Sequence, residues 1–194
     1  MTRSLDFYFD FISPYSFLAY KKLRSINQNR KIIINYKPIL LGGLHKLGGI
    51  IAPAFNERKM KNMKNDCELI AKKNKIEFKW NNKFPINSIS LMRGYLVIDD
   101  KLKKKYFESC FNAYWKDDID ILDEENLTEI LEKCKIDLNL FNENIKQQKT
   151  KEELKELTKN AFEMDIFGAP TFIVNKKLFW GQDRLDYALD EYYS

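Results

Sequence analysis

The feature that most constrains this chain lies at its start, where an aromatic segment of period two runs straight into a helix signal. Leu5-Asp6-Phe7-Tyr8-Phe9-Asp10-Phe11 alternates apolar and mostly polar residues, which predicts a strand. Ser13-Pro14 follows, a good N-cap and then the residue favoured at the first helical position. Ser16, Ala19, Leu23 and Ile26 recur at helical spacing, so a helix with one buried stripe is expected from Pro14 to about Asn27. Ile32-Ile33-Ile34-Asn35-Tyr36 reads as a second strand. Strand, helix and strand in this order imply a right-handed parallel crossover.

Gly42-Gly43 and Gly48-Gly49 next punctuate a stretch expected to be rich in loops. From about Pro53 to Phe162 the pattern is mainly helical. Met63, Cys67, Ile70 and Ala71 form one stripe; Leu91, Tyr95 and Ile98, then Phe107, Phe111 and Trp115, form others. Asp123 to Lys133 and Lys151 to Phe162 suit further helices. Strand signals return at Pro170-Thr171-Phe172-Ile173-Val174, then a turn at Asn175-Lys176-Lys177 and a short strand at Leu178-Phe179-Trp180. Gln182 or Asp183 can open a closing helix through Leu185, Leu189 and Tyr192. Two halves, strand-helix-strand and strand-strand-helix, thus flank a helical insertion of roughly a hundred residues, more than an ordinary loop holds. The expected division is residues 1–45 with 163–194 as one discontinuous domain and 46–162 as the inserted one.

Composition narrows the function. Hydrophobic residues make up 44% of the 194, enough for a core and against disorder. The net charge of +5 comes from scattered lysines that no aromatics interleave, so nucleic acid is not an expected partner. No apolar run is long enough to span a bilayer, and Leu5 to Ile12 lacks the basic start and cleavage site of a leader. Cys67, Cys110 and Cys134 are odd in number and far apart, with neither a C-x-x-C nor a metal-ligand spacing. No metal is expected, and a reducing cytoplasm fits best.

Asp10-Phe11-Ile12-Ser13-Pro14-Tyr15-Ser16 stands between the first strand and helix, and Phe167-Gly168-Ala169-Pro170-Thr171-Phe172 at the third strand. Between them come Pro38-Ile39-Leu40-Leu41-Gly42-Gly43-Leu44 and Phe84-Pro85-Ile86-Asn87-Ser88 with Arg93, and Phe179-Trp180-Gly181-Gln182-Asp183-Arg184-Leu185 closes the set. With these motifs in this order, the sequence resembles the 2-hydroxychromene-2-carboxylate isomerases and the related kappa-class glutathione transferases of the DsbA-like group. The closing segment is more like the isomerases. The resemblance covers nearly the whole chain. It implies an α/β, thioredoxin-like fold with an inserted all-helical domain, glutathione as cofactor, and a homodimer.

A hydroxyl at Ser13 would sit at a helix end carrying roughly half a positive charge and unpaired N–H groups, where a thiolate is favoured. No cysteine stands there, so the sulfur would come from glutathione, and Ser13 would donate a hydrogen bond to it. Ser13 as a plain N-cap is the other reading. Ser16 takes the position of a second redox cysteine and reads as packing. Tyr15 either contacts ligand or covers the helix end. By the resemblance Ala169-Pro170 is a cis peptide whose exposed backbone pairs with the cysteinyl part of glutathione. Gln182 and Asp183 either cap the last helix or hold the γ-glutamyl group, a carboxylate suiting its ammonium. Arg184 suits a structural ion pair. Lys46 falls where the isomerases carry a lysine near an anionic substrate, or is simply solvated. Asn87 caps a helix or touches substrate. Asp10 is placed to orient the loop, Trp180 to line core or pocket, and His45 to pack rather than act as a base.

The family's asparagine and tyrosine in the substrate region appear here as Ile50 and Asn62, and its Pro-Pro as Ala52-Pro53. The activity so implied is a glutathione-dependent isomerisation, the thiolate adding reversibly to a conjugated, aromatic pyruvate-like substrate. A kappa-like conjugation of electrophiles is a second reading, and a catalytically silent binding module a third.

Overall fold

The computed structural model describes residues 3–194. It begins with β1 (Leu5–Phe9), α1 (Pro14–Asn27) and β2 (Ile34–Pro38). Seven helices follow: α2 (Leu41–Leu47), α3 (Glu57–Lys73), α4 (Ile89–Val97), α5 (Asp100–Trp115), α6 (Glu124–Cys134), α7 (Leu138–Asn144) and α8 (Gln148–Glu163). A hairpin of β3 (Thr171–Val174) and β4 (Lys177–Trp180) leads through a 3-10 turn at Gln182–Arg184 into α9 (Leu185–Tyr193). The sheet order is β2-β1-β3-β4, with β1 parallel to β2 and the other neighbours antiparallel. This is the mixed sheet of a thioredoxin-like α/β fold.

The alternation read in β1 divides the core. Leu5, Phe7 and Phe9 enter one large cluster with α1 and most of the inserted helices. Phe9 meets Phe107 edge-on at 4.7 Å, and Phe7 stacks on Phe172 of β3 at 5.2 Å. Aromatic pairs in such arrangements add about 0.5–1.5 kcal/mol beyond burial. Tyr8 belongs to a second cluster with Ile39, Leu44, Ala161, Ile166 and Ala169, which α2 and α8 close. α1 buries more than its expected stripe, because Phe17 and Tyr20 also pack against Phe111 of α5. The hairpin turns on Asn175 and Lys176 alone, both at positive φ (50° and 66°), as a two-residue turn matched to strand twist requires. That turn sets Val174 opposite Lys177.

Several expected boundaries move, each for a local reason. β1 stops at Phe9, because the Asp10 side chain accepts from the Ile12 N–H (3.1 Å) and its carbonyl from the Ser13 N–H (3.0 Å), turning the chain. β2 is displaced two residues onward, since Ile32 donates its N–H to Asn27 at the end of α1. The stretch around Gly42-Gly43, expected as loop, is helix α2. α7, with Asp137 as its N-cap, was not anticipated.

α2 forms despite its glycines because its first turn is capped from a distance. Leu40, at its N-cap, offers no side-chain bond. Instead the Leu41 N–H donates to Asp10 Oδ2 (2.8 Å) and the Leu40 N–H to Thr158 Oγ1 of α8 (2.9 Å). Asp10 is fully buried, with the Ser88 hydroxyl at the head of α4 also against its carboxyl. One carboxylate therefore joins the β1–α1 loop, α2 and α4. Burial pushes it up to about 6, against the pull of the Leu41, Ser88, Ile12 and Phe11 donors.

Two expectations follow from this packing. Gly94 of α4 lies so close to α5 and α7 that a Cβ would run into the Phe141 ring and the Tyr106 hydroxyl. Gly94→Ala should therefore lower the urea midpoint by the equivalent of about 1–3 kcal/mol despite alanine's helix propensity, and an unchanged midpoint would refute the close approach. For Asp10 the folded pKa lies above the unfolded 3.8, so the native state binds the extra proton between pH 4 and 6. Its contribution is complete below pH 4 and is lost as the pH rises through about 6, a change of about 3 kcal/mol. Unfolding titrations of wild type and Asp10→Asn should diverge by that amount across the window, wild type losing stability; parallel curves would contradict it.

Candidate active site

The residues at the centre of the site come from two connections at the same end of the sheet. Ser13 is the N-cap of α1, with extended backbone (φ −84°, ψ 112°) and Pro14 next to it at the first helical position. Its Oγ accepts from the Ser16 N–H at 3.1 Å and donates to the Ala169 carbonyl at 2.8 Å. It is thus an N-cap and a link to the β3 turn together. The Ala169–Pro170 peptide is cis, as expected, and Phe84–Pro85 is cis as well, which sequence reading missed. The Ala169 N–H has no hydrogen-bond partner among the described residues.

The loop bearing Ser13 is held on three sides. Asp10 ties it to α2 and α4. Trp115 Nε1, at the end of α5, donates to the Phe11 carbonyl at 2.8 Å. Ser13 itself reaches Ala169. Thr158 was not singled out from sequence, Ser88 stood in a motif without a role of its own, and Trp115 was read only as part of a buried stripe, because its bond, 104 residues away, leaves no local signal.

Other expected site residues fall at differing places. The Gly181 N–H donates to the Pro170 carbonyl (2.9 Å), and Gly181 takes φ +102°, a conformation side chains resist. This sets Gln182 and Asp183 next to the cis turn, in a segment that packs on α1. The Asp183 carboxylate is exposed and paired with the neighbouring Arg184 guanidinium at 3.0 Å, the ion pair expected for Arg184. Tyr15 donates its hydroxyl to Asp66 Oδ2 at 2.8 Å, pinning α1 to α3; burial and Asp66 hold the phenol well above its ordinary value, so it stays a donor. Asn87 is exposed and accepts from the Ile89 N–H (3.1 Å), a turn just ahead of α4, whose N-cap is Ser88. Lys46 is exposed, five residues into α2 and about 7.5 Å along the axis from the end that Asp10 caps. His45 is half-buried, and burial pushes its imidazole down.

The surroundings are apolar. Trp180 is half exposed and packs on Phe167 at 4.7 Å, its indole closing over Gly168, where a Cβ would lie 2.5 Å from Nε1. Ile50 and Phe162 approach each other across Gly48, and Ile51 and Phe55 stand exposed beyond them. The Ser16 hydroxyl is fully buried and finds no partner among the described residues. No described helix is long and apolar enough to cross a membrane.

Residues 4–193 match the family model of the DSBA-like thioredoxin domain. The chain is 30% identical over 187 residues to a 2-hydroxychromene-2-carboxylate isomerase of Pseudomonas putida, covering 93% of this chain and 90% of that one. It is 24% identical to glutathione S-transferase kappa 1 of Homo sapiens, over 96% of this chain and 89% of that one. A solved 2-hydroxychromene-2-carboxylate isomerase superposes with a TM-score of 0.87 at 27% identity, covering 96% of this chain and 92% of that chain. With one fold, a family match over nearly the whole chain and near full-length coverage on both sides, this chain belongs to the DSBA-like thioredoxin family, among the enzymes that include the 2-hydroxychromene-2-carboxylate isomerases and the kappa-class glutathione transferases.

Proposed function

We propose that this enzyme is a glutathione-dependent isomerase acting on a conjugated, aromatic pyruvate-like substrate. The observation that carries this is the Ser13 hydroxyl at the N-terminus of α1, 2.8 Å from the carbonyl that precedes Pro170. The residues present suit glutathione. Ala169 offers an unpartnered N–H beside its carbonyl, the donor and acceptor that an extended cysteinyl segment pairs with. Asp183 offers an exposed carboxylate next to the cis turn for an ammonium group.

Glutathione, when bound, supplies a thiolate that adds reversibly to the substrate and leaves again. Ser13 donates its hydroxyl proton toward the sulfur without giving it up, and the positive end of α1 favours the negative charge. Asp10 and Trp115 hold the loop, so its backbone need not move as charge develops. Lys46 supplies a cation for the substrate carboxylate, and Trp180, Phe167 and Ile50 supply apolar surface for the ring. A conjugating, kappa-like activity shares the first step; the exposed apolar side chains at Ile51 and Phe55 favour it as a second reading, since they suit varied electrophiles. Products decide between the two, because only conjugation leaves the sulfur on the substrate.

Calorimetry with glutathione, alongside ultraviolet titration of the bound thiolate, tests the proposal. Wild type should bind with a depressed thiol pKa. A hydrogen bond to a charged group contributes about 1.5–3 kcal/mol, so Ser13→Ala should raise that pKa by about 1–2 units and cut kcat/KM at least tenfold. Absence of binding at millimolar glutathione would overturn the assignment.

A further inference from the structure

The Ser13 hydroxyl has a single proton, and here the Ala169 carbonyl takes it. Ser13 is 2% exposed and Ala169 9%, so neither group has free access to water. The serine's acceptor side is also occupied, by the Ser16 N–H. To donate to a thiolate, the hydroxyl must therefore turn away from Ala169. That leaves a buried carbonyl without a donor, a loss comparable with what the new charge-assisted bond gains. The exchange is favourable only if something else donates to the Ala169 carbonyl at the same time.

We infer that Ser13 and the Ala169 carbonyl form a hydrogen-bond exchange that restricts thiolate stabilisation to cysteinyl peptides, whose amide N–H takes over the carbonyl as the Ser13 hydroxyl turns to the sulfur. This rests on the glutathione reading and goes further, because it makes the peptide N–H part of the activation and not only of the affinity. A cysteinyl peptide carries that N–H on the carbon next to the one bearing sulfur, so both partners arrive on one residue, a single side-chain torsion apart. The adjacent Ala169 N–H is free to donate to the peptide's own carbonyl. The thiol proton leaves to solvent on ionisation, and Ser13 keeps its own. A thiol without the amide N–H meets a serine still committed to Ala169 and gains no hydrogen bond from it.

The test compares glutathione with an isostere in which the N–H of its cysteinyl amide is replaced by CH2. Binding is measured by calorimetry and the pKa of the bound thiol by ultraviolet titration, on wild type and Ser13→Ala. In wild type, glutathione should show the depressed pKa, while the isostere binds about tenfold more weakly and its thiol pKa stays where that of glutathione lies on Ser13→Ala. In Ser13→Ala both ligands should titrate alike. An isostere whose thiol is depressed as far as that of glutathione would overturn the exchange. So would an isostere that fails to bind at a hundred times the glutathione Kd, since the N–H would then be an anchor and no switch. If glutathione itself does not bind, the failure lies in the glutathione reading and is seen before the isostere is added.

Discussion

A carboxylate sealed from water has to be satisfied by the protein or protonated, and Asp10 is partly both. Its burial raises the cost of charge, and the donors gathered round it recover much of that cost. Those donors come from three separate segments: the turn after β1, the first residue of α2 and the head of α4. Satisfying one group therefore fixes the relative position of three elements. Ser13, three residues along, inherits that position. The loop has no freedom to drift from the cis turn it faces, and the 2.8 Å bond to Ala169 is the outcome.

Much of this architecture was legible in the chain because its signals are local. Alternation in β1, the Ser13-Pro14 start of α1 and the turn expected at Asn175-Lys176-Lys177, from which β4 takes Lys177, each express a backbone preference that operates within a few residues. The motif order adds the rest of the topology, and with it the expectation of a cis bond at Ala169. What sequence reading lost are features whose cause lies far away. α2 carries Gly42 and Gly43 yet is a helix, because Asp10 and Thr158 supply the cap its own N-terminus lacks. Tertiary contacts outweigh propensity there. The Trp115 bond to Phe11 links residues 104 apart and follows from no periodicity.

The candidate site divides along the same line. Ser13, Ala169 and Pro170 come together because each occupies a position that a chain of this topology must bring to one end of the sheet. Asn87 and Tyr15 were read as candidate ligand contacts, and the structure gives each a protein partner, the Ile89 N–H two residues on and Asp66 of α3. Ser88, whose hydroxyl faces Asp10, stood in a motif without a role assigned to it. A side chain's direction along a turn is decided by packing, and the motif alone does not carry it.

The three cysteines lie buried and unpaired, with Cys67 and Cys110 pushed further from ionisation by their apolar surroundings. Thiol–disulfide exchange begins with attack by a thiolate on an accessible partner, and all three thiols are buried away from any. The scaffold is shared with oxidoreductases, but this polypeptide has withdrawn its own sulfur from circulation. Whatever the ratio of oxidised to reduced thiols around it, the covalent state of the chain stays the same, and any sulfur that reacts at Ser13 has to be brought in from outside.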